Sequence, residues 1–162
     1  AFTDVNSTSG YLVPNYYLIN KENKEPKEFF GAAEISGSHE NGILGVVKGT
    51  YDAAFSWMRN DRESNVQRMI GKGMIPEGSV RMVWKSPLIT NGPFSALKDL
   101  PQKMKDDFTM ALLEWHVKDP ASWEAYFAPQ PATHYLRVNH ERYNDFIDMQ
   151  IWLDKVEKEK EK

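Results

Sequence analysis

The sequence predicts an α/β fold whose sheet is largely parallel. Helical patterns and short apolar runs of strand length alternate over the first half of the chain, and this alternation is typical of α/β layers. The chain has 162 residues, of which 41% are hydrophobic and 27% are charged. This length and composition suffice for a buried core and lie outside the range of disordered chains.

The first predicted helix follows residues 4–10, which are rich in residue types that form turns and cap helices. Its apolar positions fit one helical face: Leu12, Val13, Tyr16 and Ile19. Pro14 is tolerated only in the first turn of a helix, so the helix is predicted to start near Ser9 or Gly10. The polar residues 20–28 are predicted to form a loop.

A short strand and a capped helix are predicted next. Residues 29–35 form an apolar run of strand length, and a helix is expected over about residues 39–48. Ser36 or Ser38 can cap this helix, and Gly49 supplies its end.

The second strand of the alternation is predicted over residues 51–57, and an amphipathic helix is predicted over 61–70. Residues 80–85 alternate in character and form the clearest strand pattern of the chain. The turn-rich sequence 86–93 then marks the predicted boundary between two parts of the molecule.

The remainder of the chain is predicted to be mainly helical. One helix covers residues 101–115, and another begins at Asp119 and Pro120, since proline suits the first helical position. Residues 128–133 contain two prolines and are predicted to form a loop. The last helix runs from about residue 141 and ends in a charged, solvated tail.

Charge and composition exclude several classes of function. Lys and Arg number 20 against 23 Asp and Glu, giving a net charge of -3, so no basic excess favours nucleic acid. The absence of cysteine removes disulfides, thiolate nucleophiles and cysteine-based metal sites. No apolar stretch approaches the roughly 20 residues that cross a bilayer. Residues 1–4 lack the features of a signal peptide.

The densest polar cluster, residues 6–10, lies at a predicted helix start. The free N–H groups of a helix start and the hydroxyls of Ser7, Thr8 and Ser9 suit a tetrahedral oxyanion. The residues alone also allow a simpler interpretation, in which the cluster is an N-cap with additional serines.

A second cluster, residues 36–40, repeats this design at the end of a predicted strand. Strand ends in an open α/β sheet face one crevice, so the two clusters together predict an anion pocket. His39 can donate to a phosphate-like group, although a local capping role is equally compatible with its position. The other histidines show no metal-ligand spacing, and no nucleophile elbow or nucleotide-binding loop is present. A binding site is therefore favoured over an active site.

Several segments together resemble the phosphate, phosphite and phosphonate substrate-binding proteins of ABC transporters. The Ser-Thr-Ser-Gly and Ser-Gly-Ser-His-Glu pair is the most specific part of the resemblance, which extends over about residues 1–115. The matching segments are 4–14, 36–40, 51–54, 83–89 and 99–101, with a looser similarity at 143–146.

This resemblance implies a type II periplasmic binding fold, in which two α/β lobes close over the ligand. It implies that Ser7, Thr8, Ser9 and His39 bind the phosphonate oxygens. It also implies an extracytoplasmic protein that binds a phosphonate, phosphite or phosphate-like anion without catalysis, needs no cofactor or metal, and works with an ABC transporter permease.

Two departures from the family pattern concern the ligand. Members that prefer aminoalkylphosphonates place carboxylates around the ligand amine, at positions that fall near Arg59 and Gly92 here. Neither residue is acidic, so 2-aminoethylphosphonate is not expected to be the preferred ligand. Trp57 and Trp84 can flank the crevice, but core packing is the role we expect for them.

A further departure concerns extent, because family members carry an additional segment before the Ser-Thr-Ser-Gly motif. Residues 1–88 are accordingly predicted to form the second lobe, and residues 89–162 to form the hinge crossing and the helical segment that returns to the first lobe. Apolar faces of that segment would then favour self-association, and the affinity of this chain for an anion is expected to be weak.

Two alternative functions remain open on sequence grounds. One is a phosphoester- or phosphonate-processing enzyme that uses Ser7, Thr8 or Ser9 as nucleophile and His39 as base. The other is an effector-binding module of a regulator on the same fold.

Overall fold

The computed structural model describes residues 1–60, 63–128 and 132–160. Two compact units are present, one formed by Ala1–Ile89 with Asn144–Lys162 and the other by Thr90–Tyr143. We call them the first and second unit and describe each by itself. The assignment of residues 1–88 and 89–162 to two lobes stays a prediction.

Helices dominate both units. The elements are α1, built from π-helical Thr8–Leu12, α-helical Val13–Tyr16 and π-helical Tyr17–Lys21; α2, Pro26–Phe30; α3, His39–Val47; β1, Met58–Asn60; β2, Glu63–Ser64; α4, Asn65–Gly71; α5, Gln102–Lys118; α6, Pro120–Phe127; a 3₁₀ turn, His140–Tyr143; and α7, Asn144–Lys160.

Three extended segments of the first unit, 1–3, 34–36 and 53–55, run side by side, and we call them the parallel segments. Phe2 forms a parallel bridge to Ile35: its N–H donates to the Glu34 carbonyl at 2.7 Å and its carbonyl accepts from Ser36 at 2.8 Å. On the other side, the Ala1 nitrogen donates to the Ala53 carbonyl at 2.6 Å. The Ala1 carbonyl accepts from the Phe55 N–H at 3.0 Å, so segment 1–3 is central.

The prediction of a largely parallel sheet is wrong, because the parallel pairing extends over only a few residues. Within the described residues, the one sheet is the antiparallel pair of β1 and β2, with Met58 opposite Ser64 and Asn60 opposite Glu63. The parallel segments pair over too few residues to form longer strands. The result is mainly helix with a small sheet, which is compatible with an α/β fold.

The three predicted strands differ from the structure for separate reasons. Pro26 starts helix α2 at its first position, and the helix includes Phe29 and Phe30, so only the end of the predicted strand 29–35 pairs with a neighbour. The predicted strand 51–57 has no helix, and its pairing with a parallel neighbour is confined, among the described residues, to the contacts of Ala53 and Phe55 with Ala1.

Residues 80–85 form no strand, although their alternation was the clearest in the sequence. The pattern predicts one buried face, but Met82, Val83 and Trp84 are all exposed, with Val83 at 75%. Alternation produces a strand only where a neighbouring strand offers backbone partners, and no described segment pairs with these residues.

The helix predictions agree better with the structure. Helix α3 begins at His39 behind Ser38, α5 covers the predicted helix 101–115 from Gln102, and α6 has Pro120 at its first position. The predicted helix 61–70 is shorter because β2 precedes it, and its residues 61 and 62 lie outside the described residues. The predicted loop 128–133 lies partly outside them as well.

The core of the first unit has two parts. Ile43, Met69 and Ile75 form a buried cluster between α3, α4 and the segment that follows. Helix α7 packs on α1, where Trp152 meets Tyr16 edge-on with ring centroids 5.2 Å apart.

The second unit is built on aromatic packing between α5 and α6. Trp123 is 5% exposed and lies with its ring centroid 5.4 Å from that of Trp115 and 4.3 Å from that of Phe127. The Trp115 Nε1–H donates to Ser122 Oγ at 2.6 Å, and Asp119 caps α6 by accepting from the Ser122 N–H at 3.1 Å. Across the described parts of both units, no helix has the length and apolar character needed to span a bilayer.

Candidate anion-binding site

The start of α1 is capped by Ser7. Its extended backbone, with φ -83° and ψ 119°, turns the chain into the helix, and its Oγ accepts from the Gly10 N–H at 3.1 Å. The Ser7 carbonyl accepts from both Tyr11 and Leu12, at 2.9 and 3.0 Å. This π-helical first turn begins at Thr8, slightly earlier than the sequence predicts.

Gly10 allows the first turn of α1 to lie directly against the central parallel segment. A Cβ on Gly10 would collide with the Thr3 side chain, which is 1% exposed. The Thr3 N–H donates to the Gly10 carbonyl at 3.2 Å, so the two backbones are also linked. Any larger residue at position 10 would push the serine-rich turn away from the parallel segments.

The start of α3 has the same design. Ser38 is extended, with φ -158° and ψ 162°, and its Oγ accepts from the Asn41 N–H at 3.0 Å. The Ser36 hydroxyl approaches the carbonyls of Phe2 and Ser38, both at 2.9 Å, and fastens the turn to the central segment.

The parallel segments bring the two helix starts to one edge. Segment 1–3 leads into α1, and segment 34–36 leads into α3. Because Phe2 and Ile35 pair in parallel, both segments end on the same side. The Gly37 N–H donates to the Thr3 carbonyl at 2.8 Å, which holds the two exits together.

Hydrogen-bond donors are available at both starts. Within the described residues, the N–H groups of Thr8 and Ser9 have no backbone or side-chain partner, and neither do those of His39 and Glu40. The hydroxyls of Thr8 and Ser9 are also without a partner there. Free N–H groups at the positive end of a helix dipole favour a bound anion.

His39 is the titratable group of this edge and is partly buried. Burial lowers its pKa, while hydrogen bonding to the Phe55 backbone and the nearby Glu40 carboxylate oppose that shift. Its Nδ1 is buried and has no hydrogen-bond partner within residues 1–60, 63–128 and 132–160. The neutral imidazole can donate one hydrogen bond, and the imidazolium would add a positive charge.

The four residues predicted from the sequence therefore lie on two neighbouring helix starts. Ser7, Thr8 and Ser9 belong to α1 and His39 belongs to α3. The role of Ser7 is the most constrained, because its oxygen already caps the helix.

Two further hydroxyls lie at this edge and are not predicted by the sequence pattern. The Oγ1 of Thr3 and the Oγ of Ser56 are buried, and neither has a hydrogen-bond partner in the part of the chain that the structure describes. Segment 1–3 was not predicted as extended because three residues are too few to show a period, and so Thr3 carried no signal.

Metal chemistry finds no support in the residues that the structure describes. No group of three or more His, Asp or Glu side chains is arranged to hold a metal ion there. His116 and His134 lie together in the second unit, with ring centroids 5.7 Å apart, beside the aromatic cluster of Trp123.

A protein-family model described as an ABC transporter, phosphonate, periplasmic substrate-binding protein matches residues 1–143. The chain belongs to this family. Members of this phosphonate-binding family capture substrate for import and are not enzymes.

Curated relatives agree with this assignment. A phosphonates-binding periplasmic protein of Escherichia coli is 34% identical over 112 residues, which cover 66% of this chain and 30% of the relative. A phosphate-import protein of Mycolicibacterium smegmatis is 32% identical over 124 residues, 72% of this chain and 37% of the relative. A probable ABC transporter phosphite binding protein of Prochlorococcus marinus is 32% identical over 116 residues, with shares of 68% and 36%.

The aligned part spans 30 to 37% of the length of these relatives. No solved structure matches the chain significantly.

Proposed function

We propose that this chain carries oxyanion-binding residues of a substrate-binding component of an ABC transporter. The ligand would be a phosphonate, phosphite or phosphate, bound without chemistry and passed to a membrane permease. The relatives' names refer to phosphonate, phosphate and phosphite, which share a tetrahedral phosphorus centre with anionic oxygens. As a periplasmic family member, the protein would work outside the cytoplasm.

The observation that carries this proposal is the pairing of two serine-capped helix starts. Both leave N–H donors free at one edge of the parallel segments, and both follow segments that end on the same side. We assign Ser7, Thr8, Ser9 and His39 to the oxyanion. Thr8 and Ser9 would contribute N–H and hydroxyl donors, His39 a side-chain donor, and Ser7 would mainly hold the turn in place.

The residue at position 59 favours a ligand without an amine. Binders that prefer aminoalkylphosphonates resemble this chain but carry a carboxylate near that position, whereas Arg59 is a cation here and pairs with Glu63 at 3.2 Å. We therefore propose that 2-aminoethylphosphonate is bound less well than methylphosphonate, phosphite or phosphate.

Titration of the 162-residue chain, followed by amide NMR shifts and by calorimetry, tests the proposal. Methylphosphonate, phosphite and phosphate should shift the amides of Thr8, Ser9, His39 and Glu40, and product analysis should return each ligand unchanged. A charge-assisted hydrogen bond contributes about 1.5 to 3 kcal/mol, so His39→Ala should weaken binding markedly.

Three results would contradict this assignment. Absence of binding by all three anions would overturn the function, and unchanged affinity in His39→Ala would remove His39 from the site. Preferential binding of 2-aminoethylphosphonate would overturn the proposed selectivity.

Self-association stays a prediction. It is compatible with the exposed apolar side chains of α5, among them Met104, Phe108 and Met110.

A further inference from the structure

Three hydroxyl side chains lie level with one another where the parallel segments end, and we call them the hydroxyl row: Thr3, Ser36 and Ser56, the residue directly after segment 53–55. The pairing of Phe2 with Ile35 places Thr3 level with Ser36. On the other side, Ala1 bonds to Ala53 and Phe55, which places Thr3 level with Ser56.

The hydroxyl row lies on the face opposite the aromatic side chains of the segments. Phe2 and Phe55 stack with ring centroids 5.0 Å apart, and side chains one position further along a strand point to the other face. Helix α3 covers the face of the row, because an added Cβ on Gly42 would lie 3.2 Å from Ser36 Oγ and 3.1 Å from the Ala54 Cβ.

The three hydroxyls differ in what they already bind. The Ser36 hydroxyl already has backbone partners, because it lies within hydrogen-bond distance of the Phe2 and Ser38 carbonyls. Thr3 is held beneath Gly10, where the close packing leaves no room for a ligand atom. Ser56 remains, with a buried Oγ and no hydrogen-bond partner within the described part of the chain.

Ser56 is also adjacent in sequence to Phe55, whose backbone lies near enough to the His39 side chain to affect its pKa. The Phe55 backbone raises the pKa of His39 against the larger effect of burial, and the His39 Nδ1 is likewise buried with no hydrogen-bond partner among the described residues. The end of segment 53–55 therefore brings two unsatisfied polar groups to the start of α3.

Buried polar groups without a partner destabilise the fold when the site is empty, and they can bind a ligand when it is occupied. An unpaired buried hydroxyl loses its hydrogen bonds to water and gains none in return. An anionic oxygen accepts strongly from a hydroxyl, so a bound oxyanion would remove this cost.

We propose that Ser56 is a further binding residue for the oxyanion, and that its hydroxyl donates to a ligand oxygen on the His39 side of the site. This inference rests on the proposed function. It adds a donor from the end of segment 53–55 to those of the two helix starts.

Ser56→Ala separates a ligand contact from a structural contact. Removing a ligand contact should lower the affinity for methylphosphonate, phosphite or phosphate about tenfold or more. The midpoint of thermal unfolding without ligand should stay unchanged or rise, because an unpaired hydroxyl is removed. Ser79→Ala is the matched control, since the exposed Ser79 Oγ donates to the Pro76 carbonyl at 2.7 Å, and the affinity of this variant should equal that of the wild type.

The nearly isosteric Ser56→Cys, a poor donor, gives the same test if the alanine variant does not fold. It should also bind more weakly while remaining folded. Wild-type affinity in the folded variants would overturn the assignment of Ser56 and leave the proposed function intact. Failure of the wild type to bind any of the three anions would overturn both.

Discussion

The starts of α1 and α3 look alike locally but depend on different neighbours. In both, a serine Oγ accepts from the N–H three residues later, at 3.1 Å in α1 and 3.0 Å in α3. The start of α1 depends on close packing of Gly10 on Thr3, whereas the start of α3 carries a partly buried histidine. The same capping signal thus produces two different starts. We expect the start of α1 to be destabilised by a larger side chain at position 10, and the start of α3 to be destabilised by protonation of His39.

The backbone of the two starts differs as well. The first turn of α1 is π-helical, and Pro14 follows within the α-helical part, where its missing N–H breaks the bonding ladder. Helix α3 is regular from its first residue, His39, and ends before Gly49, whose φ of +75° suits glycine. A single sequence motif does not fix the geometry of the turn.

The largest expected effect is that of Gly10→Ala. The added Cβ would collide with the buried Thr3 side chain, so we expect a loss of about 3 kcal/mol in the free energy of unfolding. Gly42→Ala should cost only about 1 kcal/mol, because its nearest atom, the Ala54 Cβ, would lie 3.1 Å away. Urea denaturation followed by circular dichroism measures both values.

Gly71→Ala is the control for this pair. Gly71 ends α4 with no heavy atom near its added Cβ, so alanine should be neutral or stabilise by about 0.5 to 1 kcal/mol. Equal losses for Gly10→Ala and Gly42→Ala would contradict the contrast in packing.

A smaller effect is expected from the protonation of His39. Burial lowers its pKa below the ordinary 6.5, so between the two values the unfolded chain binds more protons than the folded one. The stability contributed by neutral His39 is therefore complete above about pH 6.5. It decreases as the pH falls from there through the lower, folded pKa.

Thermal unfolding of the wild type and of His39→Gln between pH 7.5 and pH 4.5 measures this effect. Glutamine at position 39 does not titrate. The difference between the unfolding midpoints of the two proteins, plotted against pH, therefore reports His39 and not the other histidines. A difference that does not change with pH would mean that the folded chain does not disfavour the imidazolium.

The smallest effect is expected at the contact between α1 and α7. The Tyr11 hydroxyl donates to Glu157 Oε1 at 2.9 Å, and burial together with this hydrogen bond raises the pKa of Tyr11 to about 12. Tyr11→Phe should cost about 0.5 to 1 kcal/mol and speed hydrogen exchange in α1. Tyr16→Phe should leave the exchange unchanged, since the Tyr16 hydroxyl has no partner in the described chain. Equal rates of hydrogen exchange in Tyr11→Phe and Tyr16→Phe would contradict the proposal that the Tyr11 hydroxyl anchors α1 to α7.

The features that could be predicted from the sequence are those fixed within a few residues. Ser38 and Asp119 cap their helices through the N–H three positions later, and Pro120 fits the first position of α6, so local composition was sufficient there. The serine-rich helix start and His39 were found for the same reason.

The features that were missed depend on distant partners. Residues 80–85 carry a strand pattern but find no neighbouring strand among the described residues, and segment 1–3 has no pattern but finds two neighbours. Thr3 and Ser56 became visible only through their register in the parallel segments. Periodicity reports which face of a segment is apolar and carries no information about its partner.

The pairing of segment 1–3 has a consequence for the order of folding. Each helix cap closes over three residues, whereas the contact of Ser36 with Phe2 closes a separation of 34 residues and that of Ala1 with Ala53 closes 52. Long loops cost more entropy to close, so the caps should form early and their juxtaposition late in folding. A ligand that needs both helix starts would then bind only chains that have completed this last step, and would slow their unfolding.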